Sequence, residues 1–230
     1  MPQSDTSSST GAISSSDVSP LIPMSDVPGA IYIIRHGEKP PDDDPSALAA
    51  GSEQIFGVDV DGNQNPDSLI PQGWQRAGGL AQFFSPSDGV FATSLLARPS
   101  VIAVPTYGKP PEHRTYQTVW PLASKIGIQP TVTVDVGMED HLATWLLTQS
   151  GQTVLVCWEH EHIEDITKAL STAISGGDVP GKWPADRFDV VVALTPDPAG
   201  SGTYVCHQIA QLLLAGDSID PIPSANPADA

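Results

Sequence analysis

At 230 residues with 40% hydrophobic side chains, the chain can bury one sizeable core and is most simply one domain with tails. Ten Lys and Arg against 27 Asp and Glu give a net charge of −17, a far field that repels polyanions and argues against nucleic acid as a partner. No apolar run approaches the roughly 20 residues of a membrane span, so no membrane association is expected.

The first 27 residues are rich in Ser, Thr and Asp and lack the basic start and apolar stretch of a signal peptide, which predicts a disordered tail and a cytoplasmic protein. The folded domain is expected over residues 28–217, with a flexible tail over 218–230. Within the domain, residues 31–34, 90–93, 131–134, 153–157, 189–194 and 203–209 have strand-like patterns. Between them, Trp74, Ala77, Ala81 and Phe84 mark one helical face, and Val119, Leu122, Ala123 and Ile126 a second. Met138, Leu142, Trp145 and Leu146 mark a third face, and Ile163, Ile166 and Leu170 a fourth. This alternation predicts a three-layer α/β/α sandwich around a mostly parallel sheet, with reactive groups at the carboxyl ends of strands. Residues 196–202 are too few for a crossover helix, so the last two strands should form an antiparallel pair at one edge. Cys157 and Cys206 fall in separate apolar runs, as reduced buried thiols do.

Residues 31–39 read Ile-Tyr-Ile-Ile-Arg-His-Gly-Glu-Lys, a buried-strand pattern that breaks off into Arg35-His36-Gly37-Glu38. A strand end followed by glycine can hold a histidine rigidly beside a guanidinium, with backbone free to approach a ligand, and such a histidine is a candidate nucleophile toward phosphorus. Three further segments follow: Leu69-Ile70-Pro71-Gln72-Gly73-Trp74-Gln75-Arg76-Ala77, then Arg114-Thr115-Tyr116-Gln117-Thr118, then Val154-Leu155-Val156-Cys157 with His160 beyond it. Their order and content resemble the histidine phosphatase superfamily, the group that includes the phosphoglycerate mutases, over residues 29–217.

That resemblance implies a metal-independent phosphatase acting on a small phosphorylated metabolite through a phosphohistidine intermediate, without a cofactor. A phosphomutase and a non-catalytic phosphate-binding protein of the same fold stand as alternatives. It implies that His36 attacks, that Arg35 and Arg114 bind the equatorial phosphoryl oxygens, and that a second histidine adds a donor. Arg98, in Ser94-Leu95-Leu96-Ala97-Arg98, competes with Arg114, but only Arg114 leads into Gln117-Thr118. Residues 99–113, with Pro105, Pro110 and Pro111, look like a loop inserted ahead of it. The second histidine is His160 or His162; the glycine that usually follows is missing from Trp158-Glu159-His160-Glu161-His162, and a gapless match puts Glu159 in its place. A leaving-group acid is implied between the second arginine and the late strand, which points to Glu139, then Glu38 and Asp140.

Two other patterns point elsewhere. Residues 59–67 have the composition of a calcium loop, but the glycine comes too early and the closing glutamate is absent. His160-Glu161-His162 has the His-x-His spacing of a binuclear metal site, but no second metal motif accompanies it. No metal is expected. Residues 40–69 and 99–113 would shape the mouth of the site and carry no recognisable substrate code. Oligomeric state leaves no signal.

Overall fold

The computed structural model describes residues 29–41 and 55–224. The tail assigned to residues 1–27 and part of the 40–69 loop lie outside the described residues. Seven strands, β1 (Ala30–Arg35), β2 (Val101–Val104), β3 (Thr131–Val132), β4 (Thr153–Trp158), β5 (Ile174–Gly177), β6 (Val190–Pro196) and β7 (Tyr204–Ala210), form one sheet in the order β3-β2-β4-β1-β6-β7-β5. All neighbours pair in parallel except β6, which runs antiparallel to both β1 and β7.

Strand β1 lies at the centre and is buried along its whole length, so its pleat feeds two cores. Ile31 and Ile33 point into one with Leu142, Leu146, Ile163 and Ile166, from helices α3 (Glu139–Leu147) and α4 (Ile163–Ala169). Ala30, Tyr32 and Ile34 point into the other with Leu80, Ala81, Val119 and Leu122, from α1 (Pro71–Phe83) and α2 (Arg114–Ile126). A parallel strand covered on both faces must be apolar at every position, which is why this segment reads as an unbroken run. Each such side chain, fully buried, contributes about 1.5–3 kcal/mol of transfer free energy. The layers are those expected from the sequence: helix, mostly parallel sheet, helix.

Several elements differ from the sequence reading. Residues 90–93 form no strand; Val90 is 72% exposed and follows a turn at Gly89, whose φ of 75° few side chains tolerate. The stretch 99–113, read as an inserted loop, contains β2, whose four residues pack between β3 and β4. Pro99 and Pro105 bracket that strand and disguise it. Strand β5 was also missed, because its sequence Ile-Ser-Gly-Gly has little strand propensity. It pairs outside β7, so the β6–β7 hairpin lies one strand in from the edge. Met138 precedes α3 and is 40% exposed instead of joining its apolar face.

Residues 218–224, assigned to a flexible tail, lie against the sheet. Ser218 N donates to Asp189 Oδ2 at 2.6 Å, and Ile222 is fully buried with its amide donating to Gln208 Oε1 at 2.8 Å. Among the described residues no helix is long and apolar enough to cross a membrane.

Candidate active site

The carboxyl ends of β1, β2 and β4 converge on one pocket. His36 leaves the sheet just past β1, its amide still donating to Trp158 O at 3.1 Å. The next amide, Gly37 N, donates to Thr118 Oγ1 at 2.8 Å, and Thr118 donates in turn to Arg114 O at 2.7 Å. Gln117 Oε1 accepts from Leu69 N at 2.9 Å, while Gln117 Nε2 donates to Ser68 Oγ at 2.8 Å. The Gln-Thr pair of α2 is therefore the clamp on the two loops that frame His36. Gly37 and Gly73 let the strand end and the start of α1 touch: a Cβ on Gly73 would sit 2.4 Å from Glu38 O, and one on Gly37 would sit 3.1 Å from Gly73 O.

His36 is fully buried, with Nδ1 2.7 Å from Gly37 O. A carbonyl only accepts, so Nδ1 carries the hydrogen and a neutral ring offers Nε2 as its lone-pair nitrogen. Nε2 lies 3.0 Å from Glu159 Oε2 but makes no aligned hydrogen bond. The other carboxylate oxygen accepts from Tyr107 OH at 2.9 Å and lies 3.8 Å from both Arg114 Nε and His113 Nε2. Tyr107 stacks on His113 with ring centroids 3.5 Å apart, which sets the hydroxyl's direction. The His160 ring stands edge-on to His36, centroids 6.4 Å apart.

Arg35 is buried and largely committed. Its Nη1 donates to Ala185 O at 2.6 Å, with Arg187 O at 3.1 Å and Pro184 O at 3.3 Å, and its guanidinium lies 3.7 Å over the Phe188 ring. Among the described residues its Nε has no hydrogen-bond partner. Arg114 Nε, His36 Nε2 and His160 Nδ1 share that condition. Buried polar atoms are nearly always paired, so four unpaired ones around a single pocket mark a place for a polar ligand.

The electrostatics follow from burial. Desolvation lowers His36, overcoming the pull of Glu159, and lowers Arg35 to about 10. Desolvation, with Arg35 and His36 nearby, lowers His160 to about 4; desolvation and then Arg114 bring His113 to about 4. Burial opposes ionisation of Glu159, but His36, Arg114 and the Tyr107 hydroxyl outweigh it and hold the carboxyl well below the usual range. The imidazoles are thus neutral near pH 7 and Glu159 is ionised.

The structure brings Arg35, His36, Arg114 and His160 together around Glu159. Glu139 is placed otherwise. Its Oε1 accepts from Gly137 N at 2.9 Å and Trp158 Nε1 at 3.0 Å, and His162 Nδ1 stands 3.5 Å away. None of its contacts is with His36, because α3 opens over Trp158 and not over the strand end. Glu38, the second choice for an acid, is bound by Arg76 Nη2 at 2.8 Å and Nε at 3.1 Å, and Arg76 also grips Asp217. Arg98 is exposed and donates to Ser85 Oγ at 2.8 Å, outside the pocket. The sequence reading overlooked Tyr107, His113 and Phe188; the clue for the first two was their position between the unrecognised β2 and α2.

The two histidines of His160-Glu161-His162 serve different clusters, so they do not form one His-x-His metal site. His36, Glu159 and His160 present ligand-type atoms within 4.8 Å of one another, but Arg35 and Arg114 interact with the same groups and oppose a cation. Glu139, His162 and Asp165 are equally close, beside a cavity of about 550 Å³ that Lys168 also lines, and form an ordinary ion-pair cluster. In the calcium-like loop, Asp59 is engaged by its own neighbours: Oδ1 accepts from Asn63 N at 2.8 Å and Asp61 N at 3.0 Å.

Sheet and pocket together define an α/β protein with a pocket of arginine and histidine side chains at the carboxyl ends of parallel strands. Among solved structures, the chain is similar to a phosphoserine phosphatase mutant from Entamoeba histolytica in complex with phosphoserine, at 13% identity and a TM-score of 0.46, covering 80% of this chain and 98% of that one. It is also similar to a mycobacterial glucosyl-3-phosphoglycerate phosphatase, at 12% identity and a TM-score of 0.39, covering 79% of this chain and 97% of that one. No protein-family model and no curated protein matches the sequence.

Proposed function

We propose that the protein is a metal-independent phosphatase that hydrolyses a small phosphomonoester through a phosphohistidine formed on His36. The observation that carries this reading is the tautomer: Nδ1 is committed to Gly37 O at 2.7 Å, and Nε2 turns into a pocket whose other unpaired buried atoms are Arg35 Nε, Arg114 Nε and His160 Nδ1. Nε2 donates its lone pair to phosphorus as the bond to the leaving oxygen breaks, and that oxygen departs with a proton drawn from solvent. Water then attacks phosphorus, the P–N bond breaks, and a proton of that water returns to solvent, restoring neutral His36 and free phosphate. The guanidiniums offset charge on the equatorial oxygens. A mutase would pass the phosphoryl group to an acceptor other than water. A cytoplasmic setting suits two buried, unpaired cysteines.

One observation favours a second reading. Glu159 presents a carboxylate 3.0 Å from His36 Nε2, an arrangement that suits a non-catalytic phosphate-binding protein of this fold.

The test is hydrolysis of a generic aryl phosphate with and without chelator, by wild type and His36→Ala. Activity that is indifferent to chelator and lost in His36→Ala is expected. Loss of the rate in chelator, or full activity in His36→Ala, overturns the phosphatase reading; inactivity with retained phosphate affinity transfers it to the binding protein.

A further inference from the structure

We infer that Glu159 makes this pocket accept a phosphoryl group only together with one proton, so that the species bound is a singly charged phosphate or a dianion paired with the carboxylic acid form of Glu159. This rests on the phosphatase reading above and specifies the substrate's protonation state.

The argument begins with fixed charges. The groups facing Glu159 are His36 and Arg35 at the end of β1, Tyr107 and His113 before α2, Arg114 at its start, and its neighbour His160. Neutral imidazoles leave two guanidiniums against Glu159, and Glu38 and Asp186 act on Arg35 as well, so the pocket offers at most a single surplus positive charge. A phosphomonoester dianion brings two negative charges into a buried site, where uncompensated charge is costly.

Geometry makes the conflict local. Glu159 Oε2 stands 3.0 Å from the nitrogen that must meet phosphorus, so an equatorial phosphoryl oxygen has to lie beside it. Two ionised oxygens in contact repel, whereas a carboxylic acid donates to a phosphoryl oxygen in a strong, charge-assisted bond. Glu159 cannot easily turn aside, because Tyr107 OH holds its other oxygen at 2.9 Å. Binding therefore takes up one proton, which sits in the Glu159–phosphoryl contact and leaves Nε2 free to face phosphorus.

The experiment is the pH dependence of inorganic phosphate binding, measured by calorimetry on the whole chain from about pH 7.5 to about pH 9, for wild type, Glu159→Gln and Tyr107→Phe. Above the second ionisation of phosphate, wild-type Kd should rise about tenfold per pH unit, as one-proton linkage requires. In Glu159→Gln, whose amide can donate without titrating, Kd should stay within about threefold across the range. Tyr107→Phe removes a donor that favours the carboxylate over the acid, so its Kd should rise with the wild-type slope but lie below the wild-type value throughout; this variant keeps the test decisive if Glu159→Gln fails to fold, and a Kd equal to or above wild type overturns the inference. Equal slopes in wild type and Glu159→Gln overturn the inference while leaving a phosphate site in place. Binding by Glu159→Gln alone would mean that the carboxylate closes the pocket outright, and also overturns it. No phosphate affinity in any of the folded proteins overturns the phosphatase reading and the inference together.

Discussion

Glu159 Oε2 lies 3.0 Å from His36 Nε2, placing a carboxylate against the nitrogen that the Gly37 carbonyl has stripped of its hydrogen. The pocket is therefore asymmetric: one wall supplies guanidinium and imidazole, the other a carboxylate. Every neighbour can then be sorted by which wall it belongs to, and that sorting leads to specific expectations.

Arg114 belongs to the cationic wall and Arg98 to neither. In the aryl phosphate assay, Arg114→Ala should lose roughly 2–4 kcal/mol of transition-state stabilisation, about one and a half to three decades in rate. Arg98→Ala, which removes a bond to Ser85 at the surface, should stay within about threefold of wild type. Reversed effects in steady-state kinetics would show that the arginine was misassigned.

His160 and His162 differ in the same way. His160 stands edge-on to His36, whereas His162 lies between Glu139 and Asp165, 3.5 Å from each. His160→Ala should reduce turnover by about two decades with little change in melting temperature. His162→Ala should leave turnover near wild type. A folded His160→Ala at wild-type rate would remove that residue from the site.

Acid should weaken the fold through His113. Its folded-state value is about 4 against an ordinary 6.5, so the unfolded chain takes up the proton first. The stability contributed by the neutral ring is complete above about pH 6.5 and is lost as pH falls toward 4. His113→Asn removes the titration yet keeps a side-chain acceptor for Thr115 N at the start of α2. Thermal melts at about pH 7.5 and about pH 5 should show a smaller drop for His113→Asn than for wild type. An equal drop would place the acid sensitivity elsewhere.

Two glycines of α1 should respond in opposite directions. Gly73→Ala drives a Cβ to 2.4 Å from Glu38 O and should cost about 1–3 kcal/mol, with a loss of activity because Glu38 follows the His36-Gly37 turn. Gly78 has nothing within 4 Å of its Cβ position, and Gly78→Ala should stabilise by about 0.5–1 kcal/mol with activity unchanged. Melting temperatures of both variants decide it; a stable, active Gly73→Ala would show that the strand end and helix start need not touch.

The layers of the fold and the cationic half of the pocket were legible because both depend on short-range pattern. An unbroken apolar run such as residues 31–34 can only be a doubly covered strand, and Gly37, Gly73 and Gln117-Thr118 carry a packing requirement that any chain building this turn must meet. What stayed hidden depends on distant partners. Strand β2 has four residues between two prolines, and β5 is half glycine; each is a strand only because the neighbouring strand offers it a ladder. Tyr107 and His113 became pocket residues once β2 fixed the path of the chain after it. Glu139 was a reasonable candidate acid by interval, but Trp158 Nε1 and Gly137 N had claimed its carboxylate, which spacing cannot reveal.

The centrality of β1 has a consequence for how the molecule comes into being. Ala30 pairs with Thr153 and Ile31 with Leu194, and Glu38, two residues past His36, is tied through Arg76 to Asp217. The segment bearing His36 is therefore among the earliest described residues to leave the ribosome and among the last to gain its neighbours. A chain arrested before residue 190 would carry His36 on a strand with one side open, and only a chain extended through Asp217 can complete the surroundings of that strand end.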